Sequence, residues 1–299
     1  MQLMLFLCFI CLIQPAYMNT ILVPTDFSAT AKNAALYAIQ LATQLHATKV
    51  ILYNAYQAFP PIITEPTAPV IPVMDVDTLK GISKNSMMQF KQSLQAFCPQ
   101  EILLEEKIEY AIIADDINKI CRENKADLIV LGITATSKIE EVLIGSTAIS
   151  IVKQTKVPVI IVPQGATYSI IKSIMLACDY KRIAETTPVS AIQSILDATE
   201  ARLHIVNVYE GNREMNADIA SQKELLLSFF KEYNPQFYFE NNHSFITAIN
   251  QFVDTHSIDL IITIPKKHGF FEGLFKEKHA KQLAFHSHVP LMFIHQEDL

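Results

Sequence analysis

Short apolar, β-branched runs recur along the chain: ILVPTD (21–26), VILYNAY (50–56), ADLIVL (126–131) and VPVIIVP (157–163). Runs of this length and composition suit strands buried on both faces of a parallel sheet. Helical spacing separates them. Ser28 is placed to N-cap a helix over about 29–46, with Ala35, Leu36, Ile39, Ala42 and Leu45 turned inward. Asp115 or Asp116 is expected to start a second helix through Ile117, Ile120 and Cys121. Gly145, Ser146 and Thr147 open a third, with Ile144, Ala148, Ile151 and Val152 on one side. Strands alternating with helices predict parallel βαβ units with right-handed crossovers.

The same blocks return later in the same order. ILVPTD matches IMLACD (174–179) and VILYNAY matches LHIVNVY (203–209), both at an offset of 153 residues. ADLIVL matches IDLIIT (258–263) and KVPVIIVPQ (156–164) matches HVPLMFIHQ (288–296), both at an offset of 132. The chain therefore reads as one small α/β domain used twice, the second copy shorter by about 21 residues between its second and third blocks. The predicted division is an apolar extension over 1–17, a first domain over 18–164, a junction at PQGATY (163–168), and a second domain over 169–299. The expected fold is α/β, two tandem doubly wound parallel sheets. Residues 60–72 carry five prolines, so that stretch reads as an extended loop.

Composition narrows the function classes. Half the 299 residues are hydrophobic and 18% are charged, as in a packed globular protein. The net charge is -6 and no basic run appears, which argues against a nucleic-acid surface. Five scattered cysteines lack metal-type spacing; Cys8 and Cys11 form a C-x-x-C, but inside an apolar run rather than a redox context. The chain reads as reduced and cytoplasmic. That apolar run, residues 3–13, is shorter than the roughly 20 residues of a membrane span. It reads either as a start assigned too early, with Met18 the true beginning, or as a signal or anchor core; no membrane association is expected.

Open parallel sheets bind ligands beyond the carboxyl ends of their strands. In the first copy those positions are Thr25 and Asp26, Asn54 and Ala55, and the segment from Gly132 onward. Gly132 permits a sharp turn after its strand. Gly145, Ser146 and Thr147 put free backbone N–H groups and hydroxyls at a helix start, a setting that suits phosphate. An ordinary turn with a glycine and a serine cap uses the same residues, so both readings stand. Asp26 is either an acceptor for ribose or base donors or a turn residue ahead of the Ser28 cap. Lys138 either reaches a phosphate or is a solvated charge.

With these residues in view, DFSATAKNAA (26–35), ADLIVLG (126–132), the G…GST loop and VPVIIVP resemble the universal stress protein family, over nearly the whole chain from Met18 counted twice. The resemblance implies five-stranded parallel sheets of the Rossmann-like, adenine nucleotide alpha hydrolase type, with the two copies paired as a pseudo-dimer through their last strands. It also implies a stress-response protein that binds ATP or AMP through G-x2-G-x9-G-[ST], with Mg2+ accompanying ATP, and with regulatory binding rather than catalysis. Carried over, the site is Pro24, Thr25, Asp26, Ala55, Leu131, Gly132, Ala135, Gly145, Ser146 and Thr147. One position departs from the pattern: Ala135 stands where the family has its second glycine, which matters only if that residue needs positive φ.

The second copy departs further. Ile264 replaces Gly132, Lys267 replaces Ala135, and Glu277, Lys278 and His279 replace Gly145, Ser146 and Thr147. A glutamate at that helix start repels phosphate. The loop is instead basic and aromatic (Lys266, Lys267, His268, Phe270, Phe271, Phe275, Lys276) and reads as either a partner surface or local packing. His279, His286 and His288 have no companion cysteine or carboxylate pair, so no metal site is expected. No G-x-S-x-G, Walker loop or H-E-x-x-H appears. Two further functions stay open: a nucleotide-independent dimerisation or adaptor module with an unknown protein partner or as a homodimer, and a slow ATP-hydrolysing enzyme whose only candidate carboxylates are Asp26, Glu140 and Glu141.

Overall fold

The computed structural model describes residues 18–57, 75–133, 146–209, 217–265 and 289–296. The predicted loop over 60–72, the Lys138, Ala135 and Gly145 positions, the basic aromatic loop of the second copy and residues 1–17 lie outside them. Among the described residues no helix is long and apolar enough to cross a membrane.

The first half contains β1 (Thr20–Pro24), α1 (Ala29–Gln44), β2 (Lys49–Tyr56), α2 (Val76–Gln95), β3 (Leu103–Tyr110), α3 (Ile113–Asn124), β4 (Leu128–Gly132), α4 (Ser146–Gln154) and β5 (Val159–Val162). The second contains β6 (Ser173–Ala177), α5 (Ile183–Thr186), α6 (Val189–Thr199), β7 (Arg202–Tyr209), α7 (Ala217–Phe230), β8 (Gln236–Asn241), α8 (Phe245–His256), β9 (Leu260–Thr263) and β10 (Leu291–Phe293). All ten strands join in one sheet of order β3-β2-β1-β4-β5-β10-β9-β6-β7-β8. Each half repeats the same order outward from the seam. Every pairing is parallel except β5 with β10, which run antiparallel with Ile160 opposite Met292. The two expected five-stranded sheets are therefore continuous, because the last strand of each half offers its open edge to the other.

Local chemistry explains the elements. The strands expected from the repeated blocks are buried on both faces, Ile21, Leu22, Val23, Val50, Ile51 and Leu52 being fully buried. Ser28 caps α1 through its hydroxyl, which accepts from the Ala31 amide at 3.1 Å. Ala35, Ile39, Ala42 and Leu45 are buried as the spacing predicts, and Leu36 packs at the core margin. The α1 helix ends at Gln44, two residues short of the expected limit, with Leu45 as its cap.

The α3 helix begins at Ile113, ahead of both aspartates expected to start it. Asp116 instead reaches back from inside the first turn and accepts from the Ile112 amide at 3.2 Å, a position where negative charge also suits the helix dipole. In the second half, the segment equivalent to α1 is broken into α5 and α6 around Pro188, whose missing N–H cannot continue a helix.

A shared clamp fixes the start of each half. Asp127 accepts from the Asn19 and Thr20 amides at 3.0 and 3.1 Å. Its counterpart Asp259 accepts from Lys172 and Ser173 at 2.8 and 3.0 Å. Two buried layers cover the sheet faces, and each runs through both halves.

Candidate ligand cleft

In the first half, β1 lies between β2 and β4, so neighbouring crossovers leave in opposite directions and open a crevice at the strands' carboxyl ends. A cleft of about 510 Å3 occupies that place, within the size range of small-molecule sites. Pro24, Thr25, Asp26, Ala55, Leu131, Gly132 and Thr147 all line it. Ser146 begins α4 beside it.

The turn after β1 is built from its own side chains. Thr25 sends its amide to the Tyr53 carbonyl at 2.8 Å, and its hydroxyl accepts from the Phe27 amide at 2.9 Å. Asp26 is exposed and accepts from the Ser28 amide at 3.0 Å. These two bonds hold Phe27 at φ 67, in the left-handed region. The second half repeats the turn: Cys178 Sγ accepts from Tyr180, Asp179 accepts from Lys181 at 3.0 Å, and Tyr180 has φ 53. The turn role of Asp26 is thus common to both halves.

Gly132 has a steric reason of its own. A Cβ there would lie 2.4 Å from the Thr30 carbonyl oxygen and 2.8 Å from Thr30 Cγ2. The first turn of α1 therefore crosses the end of β4 too closely for any side chain. The end of β4, the turn after β1 and the start of α4 converge on one crevice.

Several lining residues carry no motif. Tyr53 donates to Glu109 at 2.9 Å, and burial first, then that bond, pushes its phenol far above the ordinary tyrosine range, so it stays protonated. Asn54 is buried and donates to the Thr25 carbonyl at 2.8 Å, tying β2 to β1. Its Oδ1 has no hydrogen-bond partner among the described residues. Asn207 makes the matching bond to Cys178 at 2.7 Å, and this asparagine recurs in the NAY and NVY blocks, a signal visible in the sequence. Ile112, Ile113 and Ala114 bring an apolar wall and the start of α3 to the far side.

The cleft thus combines an apolar wall, two helix starts, one exposed carboxylate and a buried amide oxygen. No lysine or arginine lines it among the described residues. No group of three or more His, Cys, Asp or Glu that could hold a metal occurs among the described residues.

In the second half a larger side chain fills the position that Gly132 holds in the first. Ile264, at the end of β9, is 6% exposed and stands beside Ile183 and Thr186 around a hollow of about 10 Å3. That is room for a water at most.

The fold and crevice define an α/β protein with a ligand-type cleft at the switch point of its sheet. Residues 18–163 match the model of the Universal stress protein family, and through this segment the chain belongs to that family. A universal stress protein of Methanocaldococcus jannaschii is 25% identical over 142 residues, covering 48% of this chain and 80% of that protein. The crystal structure of a universal stress protein from Archaeoglobus fulgidus superposes with a TM-score of 0.67, covering 94% of this chain and 99% of the other at 17% identity. A protein of Pseudomonas aeruginosa described as functionally unknown superposes at 0.50, with 12% identity and 93% coverage of both chains. At these identities the structural likenesses speak to the fold alone.

Proposed function

We propose that the chain is a tandem universal stress protein in which residues 18–164 bind ATP or AMP as a regulatory ligand and residues 169–299 serve as a non-binding structural partner. The observation that carries this reading is the cleft of about 510 Å3 in the first half, where Pro24, Thr25, Asp26, Ala55, Leu131, Gly132 and Thr147 meet. The apolar wall of Ile112 and Ile113 suits a base. The exposed carboxylate of Asp26 suits ribose hydroxyls, and the start of α4 at Ser146 and Thr147 suits phosphate. Ala135 and Gly145 complete the cradle in this reading, alanine keeping its backbone N–H. Asp26, the one carboxylate among the described lining residues, is engaged in the turn after β1, and the reading is binding without turnover.

The test is calorimetric titration of the full chain with ATP, ADP and AMP, with and without Mg2+, beside the Gly145→Asp variant. The expected result is binding with a Kd on the order of micromolar, weakened at least about tenfold by the added carboxylate. Absence of heat at millimolar nucleotide would leave the adaptor reading, which Ala135 and the replacement of Gly132 by Ile264 in the second copy favour. Phosphate release above a slow background would favour the enzyme.

A further inference from the structure

The asymmetry of the halves extends to their seam. His295 follows β10, at the position Pro163 holds after β5 in the repeated block. Its ring is partly buried, and Nε2 bonds to the carbonyl of Val152. A carbonyl only accepts, so Nε2 carries the proton. Burial pulls the imidazole below its ordinary range, partly offset by this bond, which leaves a neutral ring at neutral pH.

Val152 sits in the last turn of α4, where helix carbonyls lack intrahelical partners. The Lys156 amide, which a longer helix would send to Val152, instead donates to Asn118 Oδ1 at 3.0 Å. Asn118 also donates to the Gln154 carbonyl at 2.7 Å. The orphan carbonyls of α4 are therefore met from two sides, by α3 within the first half and by His295 from the second. Below the helix, Leu291 and Phe293 of β10 share one buried cluster with Ile151 and Val152. Ile151 and Thr147 line the cleft. The helix that borders the cleft is thus held at its far end by the other half of the chain. Pro163 has neither an N–H nor a side-chain donor, so it cannot make the reciprocal contact.

We infer that His295 is a positioning residue through which the second half seats α4 and so sets the affinity of the cleft in the first. The affinity part rests on the adenine-nucleotide reading above; the seating of α4 does not. The test compares the full chain with His295→Leu, which fills space without a donor, and His295→Gln, which restores one. Amide hydrogen exchange without ligand reads the seating, and calorimetric titration with ATP and AMP reads the affinity.

His295→Leu is expected to speed exchange in α4 and at Thr155 about tenfold, the size of one hydrogen bond, while α1 amides stay unchanged. It is expected to weaken nucleotide about as much, and His295→Gln to restore both readouts. Unchanged α4 exchange in His295→Leu overturns the inference. So does a glutamine variant that behaves like leucine, or faster exchange spread evenly over both halves. Equal nucleotide affinity in the wild type and His295→Leu overturns the link to the cleft. A wild type that binds no nucleotide overturns the proposed function instead, and the exchange data then decide the seating of α4 alone.

Discussion

Gly132 shows how tightly a single position is bound by its surroundings. The Thr30 carbonyl and methyl leave no volume for a side chain, and the carbonyl, the nearer of the two, is backbone in the first turn of α1 and cannot swing away. Gly132→Ala is expected to destabilise the chain by about 1–3 kcal/mol, the usual range for overpacking, read as a lower urea midpoint at unchanged slope. A midpoint equal to the wild type would mean that α1 and β4 separate freely. The same position in the second half holds Ile264, beside the short helix α5 rather than an unbroken α1. Gly132 was legible in the sequence as a turn residue near a ligand loop. Its packing role was not, because Thr30 lies far from it along the chain.

At the level of elements, β7, β8 and α8 enclose a histidine that has no counterpart in the first half, where Ile51 stands at the matching position. His204 is buried, with both ring nitrogens lacking hydrogen-bond partners among the described residues, and it faces Tyr238 of β8 and Phe252 and His256 of α8. Burial is the first cause that lowers its pKa, with His256 and Arg202 adding to it. The neutral ring is therefore the folded form. Its contribution to stability is complete above the unfolded value of 6.5 and is lost as pH falls through the lower folded value. His204→Ile is expected to flatten the loss of stability below about pH 6 by close to one proton, about 1.4 kcal/mol per pH unit at most. Urea midpoints across that range check it, and an unaltered slope would contradict it.

The same scale explains what the sequence concealed among the elements. Strands β1, β2, β4 and β5 and their counterparts were readable as repeated apolar blocks. The β3 and β8 strands were not, because they form the sheet edges, are only partly buried and mix polar with apolar residues without a regular period, as in LLEEKIEY. The break at Pro188 lay in plain view but carried no ligand motif. Within the cleft, the residues that follow β1 and β4 were legible because loops after parallel strands carry binding groups. The wall from Ile112 to Ala114 was not, since it depends on where the unrecognised β3 delivers the chain.

For the molecule as a whole, one continuous sheet explains why two unequal halves stay together. The antiparallel β5–β10 pairing closes the open edge of each half, and both buried layers cross the seam. The second half covers an edge of the first, completes both buried layers and meets α4 through His295. The proposed asymmetry then has a direct consequence in stoichiometry. Full chain at a known active concentration, titrated calorimetrically with ATP and AMP, is expected to bind one nucleotide per chain. Two equivalents would contradict the proposed asymmetry, and none would contradict the binding function itself.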